Sequence, residues 1–105
     1  MKENKFQQLL VSELKILFPE CVILKNDSLY KPGFPDLTIL YKNKWAVLEC
    51  KKSIKEVYRP NQTYYLDTLN GMSFASMICP ENREAVLYEL QNTFESRGAS
   101  CVSKR

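Results

Sequence analysis

At 105 residues, with 45% hydrophobic and 26% charged side chains, the chain has room for one globular domain with a modest core. It contains no histidine, which excludes Ser-His-Asp and Cys-His catalysis, histidine-based zinc hydrolysis and two-histidine RNA cleavage, and leaves carboxylates, lysine, tyrosine and metal ions to do any chemistry. The net charge of +3 is too mild to demand a nucleic-acid partner, and no apolar run approaches the ~20 residues that span a bilayer.

Residues 3–18 set Phe6, Leu9, Leu10, Leu14, Leu17 and Phe18 at helical spacing, and Pro19 stops that helix. Residues 21–25 read as a short strand. Residues 26–34 read as a loop, with Pro32, Gly33 and Pro35 as its punctuation. Residues 36–41 and 45–51 read as strands joined through Lys42-Asn43-Lys44 in a tight hairpin. A basic, polar stretch over 52–59 leads to Pro60, which suits the first turn of a helix reaching about Asn70, with Gly71 at the position that ends it. Residues 72–79 form a further strand. After Pro80, residues 81–96 form an amphipathic helix through Ala85, Val86, Leu87, Leu90 and Phe94, with Glu81 and Glu84 favouring its N-terminus.

The expected order is α-β-β-β-α-β-α, an α/β domain over residues 1–96 with a mixed sheet flanked by helices. A basic tail follows over 97–105, in which Cys101-Val102 offers an additional edge strand. Cys21, Cys50 and Cys79 lie in or beside apolar runs with no C-x-x-C pair, so they read as small buried hydrophobes rather than a disulfide framework or zinc site. The N-terminal M-K-E-N-K-F-Q-Q lacks the continuous apolar core of a signal peptide, which points to the cytoplasm.

The stretch from Pro35 to Lys51 carries the chemistry. Side chains of a strand alternate between faces, so Glu49 and Lys51 share one face and Cys50 takes the other. If the two strands pair as a hairpin, Asp36 stands beside Glu49 and Lys51 at one end of the sheet. Asp36 and Glu49 are hard oxygen ligands suited to Mg²⁺, with Mn²⁺ as an alternative, and the Cys50 backbone carbonyl lies between the two site side chains as a further oxygen. Lys51 can orient a water, help deprotonate it, or stabilise charge on a phosphate; the sequence leaves these roles open. Lys42, Lys44, Lys51, Lys52, Lys55 and Arg59 are expected to cluster around this site, and Gly33 to let the backbone approach a ligand just ahead of Asp36. The constellation points to phosphodiester cleavage.

The segments Gly33-Phe34-Pro35-Asp36 and Glu49-Cys50-Lys51, followed by R-P-N-Q-T-Y-Y, resemble the PD-(D/E)XK nuclease superfamily in its small stand-alone VRR-NUC branch, found in phages and bacteria and related in fold to archaeal Holliday-junction resolvases. The motifs are short, but they occur in the family's order and the likeness runs from the first helix through the strand at 72–79. It implies a restriction-endonuclease-like core and a metal-dependent deoxyribonuclease with Asp36, Glu49, Lys51 and Gln62 as its catalytic residues. It also implies a carboxylate from the first helix at the metal. Glu3, which opens an E-x-x-x-Q pattern with Gln7, is the first candidate and Glu13 the competitor.

The resemblance further implies Holliday-junction or flap-type DNA substrates and a homodimer whose two sites address two strands, with no membrane association. Lys52, Lys55 and Arg59 then stand as phosphate contacts that act together and weaken with salt. Tyr58, Tyr64 and Tyr65 are available to stack on bases, with Tyr65 one helical turn after Gln62 and core packing expected for at least one of the three. Asn26 and Lys31 are weaker candidates for backbone contacts. No insertion is long enough to read a major groove, which favours recognition of shape over sequence. Restriction-like duplex cleavage or nicking keeps the same chemistry on another substrate. A non-catalytic DNA- or protein-binding module on the same fold is the alternative from a different class.

Overall fold

The computed structural model describes residues 2–95. Its elements run α1 (Glu3–Leu17), β1 (Val22–Lys25), β2 (Leu37–Tyr41), β3 (Lys44–Cys50), α2 (Pro60–Met72), β4 (Phe74–Ile78) and α3 (Arg83–Glu95), the order expected from the sequence. The four strands form one sheet in the order β1-β2-β3-β4. The β1–β2 and β2–β3 pairs are antiparallel, and β3–β4 is parallel. Antiparallel neighbours need only short turns, whereas the parallel β3–β4 pair requires a crossover, which α2 supplies.

Alternation along β3 divides the molecule into three layers. Ala46, Leu48 and Cys50 face the larger core, made with Phe6, Leu10 and Leu14 of α1 and Val86, Leu87, Leu90 and Phe94 of α3. Val47 faces the other way and packs with Leu66 of α2 and Ala75. The α2 side of β3 is therefore also the side of Glu49. Phe18, the residue after α1, is fully buried and meets Phe94 and Tyr41 at ring-centroid distances of 5.0 and 5.2 Å. It stitches α1 to α3 and the hairpin just before Pro19 diverts the chain.

Three local readings are corrected. Gly71 does not end α2 but lies inside it, and the helix continues to Met72. Side chains turn the chain instead: Ser73 donates its hydroxyl to the Trp45 carbonyl and its N–H to Leu69, while Asn70 Oδ1 accepts the Ala75 N–H at 3.0 Å. The last helix starts at Arg83, not 81. Asn82 stands at its head: its backbone carbonyl takes the Val86 N–H, while its side chain turns back to accept from Cys79 N–H at 2.8 Å. In the hairpin, Lys44 belongs to β3, paired with Tyr41, and Lys42 takes the positive φ of 57° that the two-residue turn needs.

Cys50 and Cys79 are buried free thiols and Cys21 is partly buried. The end of the last helix at Ser96, the basic tail and the strand suggested at Cys101-Val102 lie outside the described residues. Among the described residues, no helix is long and apolar enough to cross a membrane.

Candidate active site

The β2–β3 register pairs Leu37 with Leu48, so Asp36 and Glu49 come next as opposite residues at the end of the hairpin away from its turn. The loop before Asp36 is fixed at several points. Asn26 receives its tightest contacts here: its N–H donates to the Asp36 carbonyl at 2.8 Å, and its side-chain amide donates to the Pro35 carbonyl at 2.8 Å and to Thr38 Oγ1 at 2.9 Å. Asn61, in the first turn of α2, donates to the Pro32 carbonyl at 2.9 Å. Gly33 has φ of +87°, and a Cβ there would lie 2.6 Å from the Asn61 side chain. Both the backbone conformation and the packing therefore demand glycine at this position. Pro35 is fully buried, and Asp36 follows it directly.

The Asp36 carboxylate accepts a hydrogen bond from the Cys50 N–H at 2.8 Å. In extended backbone the N–H and C=O of one residue point to the same side, so the Cys50 carbonyl is directed toward Asp36 as well. Burial raises the Asp36 carboxyl above its ordinary value, against the lowering effects of the Cys50 N–H and Lys51.

Glu49 and Lys51, at 5% and 6% exposure, are the buried charged residues among those described. Their separation is 3.6 Å, and Gln62 of α2 bridges them. Gln62 Nε2 donates to Glu49 Oε2 at 2.9 Å, while Gln62 Oε1 accepts from Lys51 Nζ at 3.1 Å and from the Arg59 N–H at 3.0 Å. The last of these bonds satisfies an amide at the start of α2, so the side chain that orients the two charges also caps the helix. The other oxygen of Glu49, Oε1, is buried with no hydrogen-bond partner. Burial first, and then the nearby Asp36 and Glu3 carboxylates, push the Glu49 carboxyl up to about 7 in spite of Lys51.

Of the two helix-1 candidates, Glu3 lies within electrostatic reach of Asp36, Glu56, Lys51 and Lys52, and its carboxyl is raised by burial and then by Asp36 and Glu56. Glu13 is elsewhere: both its oxygens receive Arg83 Nη1 at 2.5–2.6 Å, linking α1 to α3. Gln7 reaches the Cys50 thiol, which burial pushes up to about 12. That thiol stays protonated at neutral pH, so Cys50 offers the site its backbone and not a nucleophile.

The basic residues divide. Lys52, Lys55 and Arg59 are exposed on the segment between β3 and α2. Lys42 and Lys44 do not join them. They sit at the turn of the hairpin, five residues of β3 from Glu49 and roughly 17 Å away at strand rise. Lys44 Nζ is directed to the carbonyls of Thr93 and Phe94 at 3.2 and 3.3 Å, a cation at the C-terminal end of α3. The tyrosines divide too. Tyr58 packs beside Val47 and Leu66, with Lys51 Nζ 5.6 Å from its ring centroid. Tyr64 is exposed. Tyr65 meets Phe34 edge-on at 5.4 Å, with Lys31 Nζ 6.0 Å from its centroid.

No protein-family model, curated protein or solved structure matches this chain. Its site is therefore read from its own geometry.

Glu56, which has no part in the sequence reading, and Glu81, read there only as an acid favouring the last helix, both make contacts beside the site. Glu56 accepts the Lys52 N–H at 2.9 Å and adds negative charge near Glu3; its one sequence signal is an acidic residue inside a basic stretch. Glu81 accepts from the Ile54 N–H at 3.2 Å and from the Ser53 hydroxyl at 3.4 Å, holding the segment after Lys51 against the start of α3.

Among the described residues no group of three or more His, Cys, Asp or Glu side chains is drawn together as a ready metal cage. Mg²⁺ does not require one, because it commonly uses one or two carboxylates and keeps several waters. Asp36, Glu49 through its unpartnered Oε1, and the Cys50 carbonyl form a hard-oxygen set that fits such an ion, with Glu3 at the outer edge.

Proposed function

We propose that this chain is a metal-dependent endonuclease that hydrolyses phosphodiester bonds in branched or structured DNA, on a restriction-endonuclease-like core of the VRR-NUC type. The observation that carries this reading is the buried, unpartnered Glu49 oxygen beside Asp36 and Lys51. A buried carboxylate normally finds partners for both oxygens. One that does not, at the end of a sheet and near the Asp36 and Glu3 carboxylates, would be satisfied by a bound cation, which supports this reading.

Asp36, Glu49 and the Cys50 carbonyl would hold Mg²⁺ or Mn²⁺, with Glu3 rather than Glu13 as the helix-1 carboxylate. When bound, the ion supplies Lewis-acid polarisation of the phosphate and acidifies water. The chain's own residues do the rest. Lys51 Nζ, held by Gln62 Oε1, faces the negative charge that develops on the scissile phosphate. Gln62 keeps Glu49 and Lys51 in register, so each is set before substrate arrives. Lys52, Lys55 and Arg59 line the exposed approach and attract the DNA backbone. Pairing of two copies as a homodimer would present two such sites to the two strands of a junction. The cytoplasm of a bacterial or phage-infected cell is the compartment this reading assigns.

A bound cation would offset the cost of ionising the buried Glu49, which favours the metal-dependent reading over a binding module. Ionising it against a pKa of about 7 costs about 3 kcal/mol relative to an ordinary glutamate. The test is a labelled four-way junction and its matched linear duplex, each incubated with the chain in Mg²⁺, Mn²⁺ or EDTA. Metal-dependent cutting of the junction alone is expected. Equal cutting of both substrates would keep the chemistry and remove the preference for branched DNA. Binding without cutting in either metal would favour the binding module.

A further inference from the structure

The loop that delivers Asp36 also presents two large apolar side chains to solvent. Leu29 is 90% exposed and Tyr30 84% exposed, with no role in either core cluster. They are held outward by a built turn. The N–H groups of Tyr30 and Lys31 donate to the Asp27 carbonyl at 3.1 and 3.2 Å, and the Leu29 N–H donates to Asp27 Oδ1 at 2.9 Å. Beneath the turn lies a cavity of about 260 Å³ lined by Asn26, Asp27, Tyr30, Lys31 and Phe34.

We infer that this cavity receives one unpaired nucleobase of the strand being cut, and thereby selects DNA with a splayed nucleotide next to the scissile bond. The inference rests on the nuclease reading above and adds the feature of the substrate that is recognised. Size favours a single planar ring system, since the cavity falls below the roughly 300–1,000 Å³ of sites for larger ligands. Its aromatic members, Tyr30 and Phe34, offer faces or edges to a base of any sequence.

Phe34 is braced edge-on by Tyr65, and Asn26 is pinned by its bonds to Pro35 and Thr38, so these walls are set in advance. Asp27 spends one oxygen on the Leu29 N–H and keeps the other for an exocyclic amino group. Lys31 supplies the positive charge for the adjoining phosphate.

Position decides the occupant. Phe34 is two residues from Asp36, at most roughly 7 Å of chain. That distance corresponds to one or two nucleotides along a strand. A base in the cavity would leave its neighbouring phosphate at the carboxylates, whereas a base still stacked in a duplex could not reach it.

The test uses a duplex with a single-stranded overhang carrying 2-aminopurine at the junction, bound in EDTA so that no strand is cut. Wild-type protein should quench the 2-aminopurine fluorescence through stacking. Tyr30→Ala should abolish that quenching and weaken binding of the overhang DNA about tenfold, while Tyr30→Phe should restore both. Unchanged quenching and affinity in Tyr30→Ala would overturn the inference. So would a Tyr30→Ala change from dimer to monomer in sedimentation with no change in quenching, which would make the cavity a seat for a second copy. If wild-type protein cuts junctions in Mg²⁺ yet shows no quenching, the base pocket fails and the nuclease reading stands. If it neither binds nor cuts DNA, both fail.

Discussion

The backbone N–H of Cys50 donates to the Asp36 carboxylate at 2.8 Å, tying the residue that precedes β2 to the last residue of β3. The bond locks Asp36 opposite Glu49. It also makes the two usual probes of an aspartate unequal here. Asp36→Ala leaves the Cys50 N–H without its acceptor and should cost about 1–3 kcal/mol in urea unfolding. Asp36→Asn keeps a carbonyl oxygen for that N–H and should cost markedly less. Equal losses in the two variants would show that the bond does not hold the sheet end together.

The crowding of Glu3, Asp36 and Glu49 sets a pH dependence for the metal-free protein. The Glu49 carboxyl titrates at about 7 in the folded chain against an ordinary 4.5, and those of Asp36 and Glu3 are raised as well. The folded state therefore holds more protons than the unfolded state between these values, and stability falls as pH rises through 7. In EDTA the melting temperature should be higher at pH 5.5 than at pH 8, by an amount equivalent to about 2 kcal/mol from Glu49. Mn²⁺ should recover part of the loss at pH 8 and little at pH 5.5, where protons compete for the same oxygens. A melting temperature that rises with pH in EDTA would contradict this electrostatic picture.

Gln62 touches both buried charges and the start of α2. Gln62→Ala should reduce cleavage by one to two orders of magnitude, less than loss of either carboxylate, because Glu49 and Lys51 remain but lose their alignment. It should also lower stability by about 1 kcal/mol through the vacated helix amide. Single-turnover rates beside a denaturation curve separate the two effects. Wild-type turnover in this variant would return Gln62 to a purely structural part.

The two groups of lysines make a prediction about salt. Lys52→Ala and Lys55→Ala should each reduce the slope of log affinity for DNA against log salt by about 1. Lys42→Ala, at the far end of the hairpin, should leave that slope unchanged. An equal effect from Lys42 would move the DNA path along the whole sheet.

Much of this architecture could be read from residue order. The alternation W-A-V-L-E-C-K, with turn residues before it, was enough to orient Glu49 and Lys51 to one face and Cys50 to the other, and the hairpin then set Asp36 opposite Glu49. The misplacement of Lys42 and Lys44 shows what sequence proximity hides, since a strand carries a nearby residue roughly 17 Å away. Gly71 resembled a helix stop, but the stop is made by Ser73 and Asn70, whose bonds reach β3 and β4. Glu81 looked like an ordinary first-turn acid and instead anchors the loop after Lys51. Gln62 and Glu3 carried no local signal; only the resemblance drew attention to them. Their contacts depend on how α2 and the start of α1 meet the sheet end, and that is decided by packing.

The most direct measurement follows cleavage of a labelled four-way junction in Mg²⁺ by wild-type protein, Asp36→Asn and Glu49→Gln, with DNA binding recorded in the same samples. Wild-type protein should cut and EDTA should stop it, while both variants bind the junction and lose at least two orders of magnitude in rate. Cutting by either variant at the wild-type rate, or cutting that persists in EDTA, would contradict a metal-dependent site built on Asp36 and Glu49.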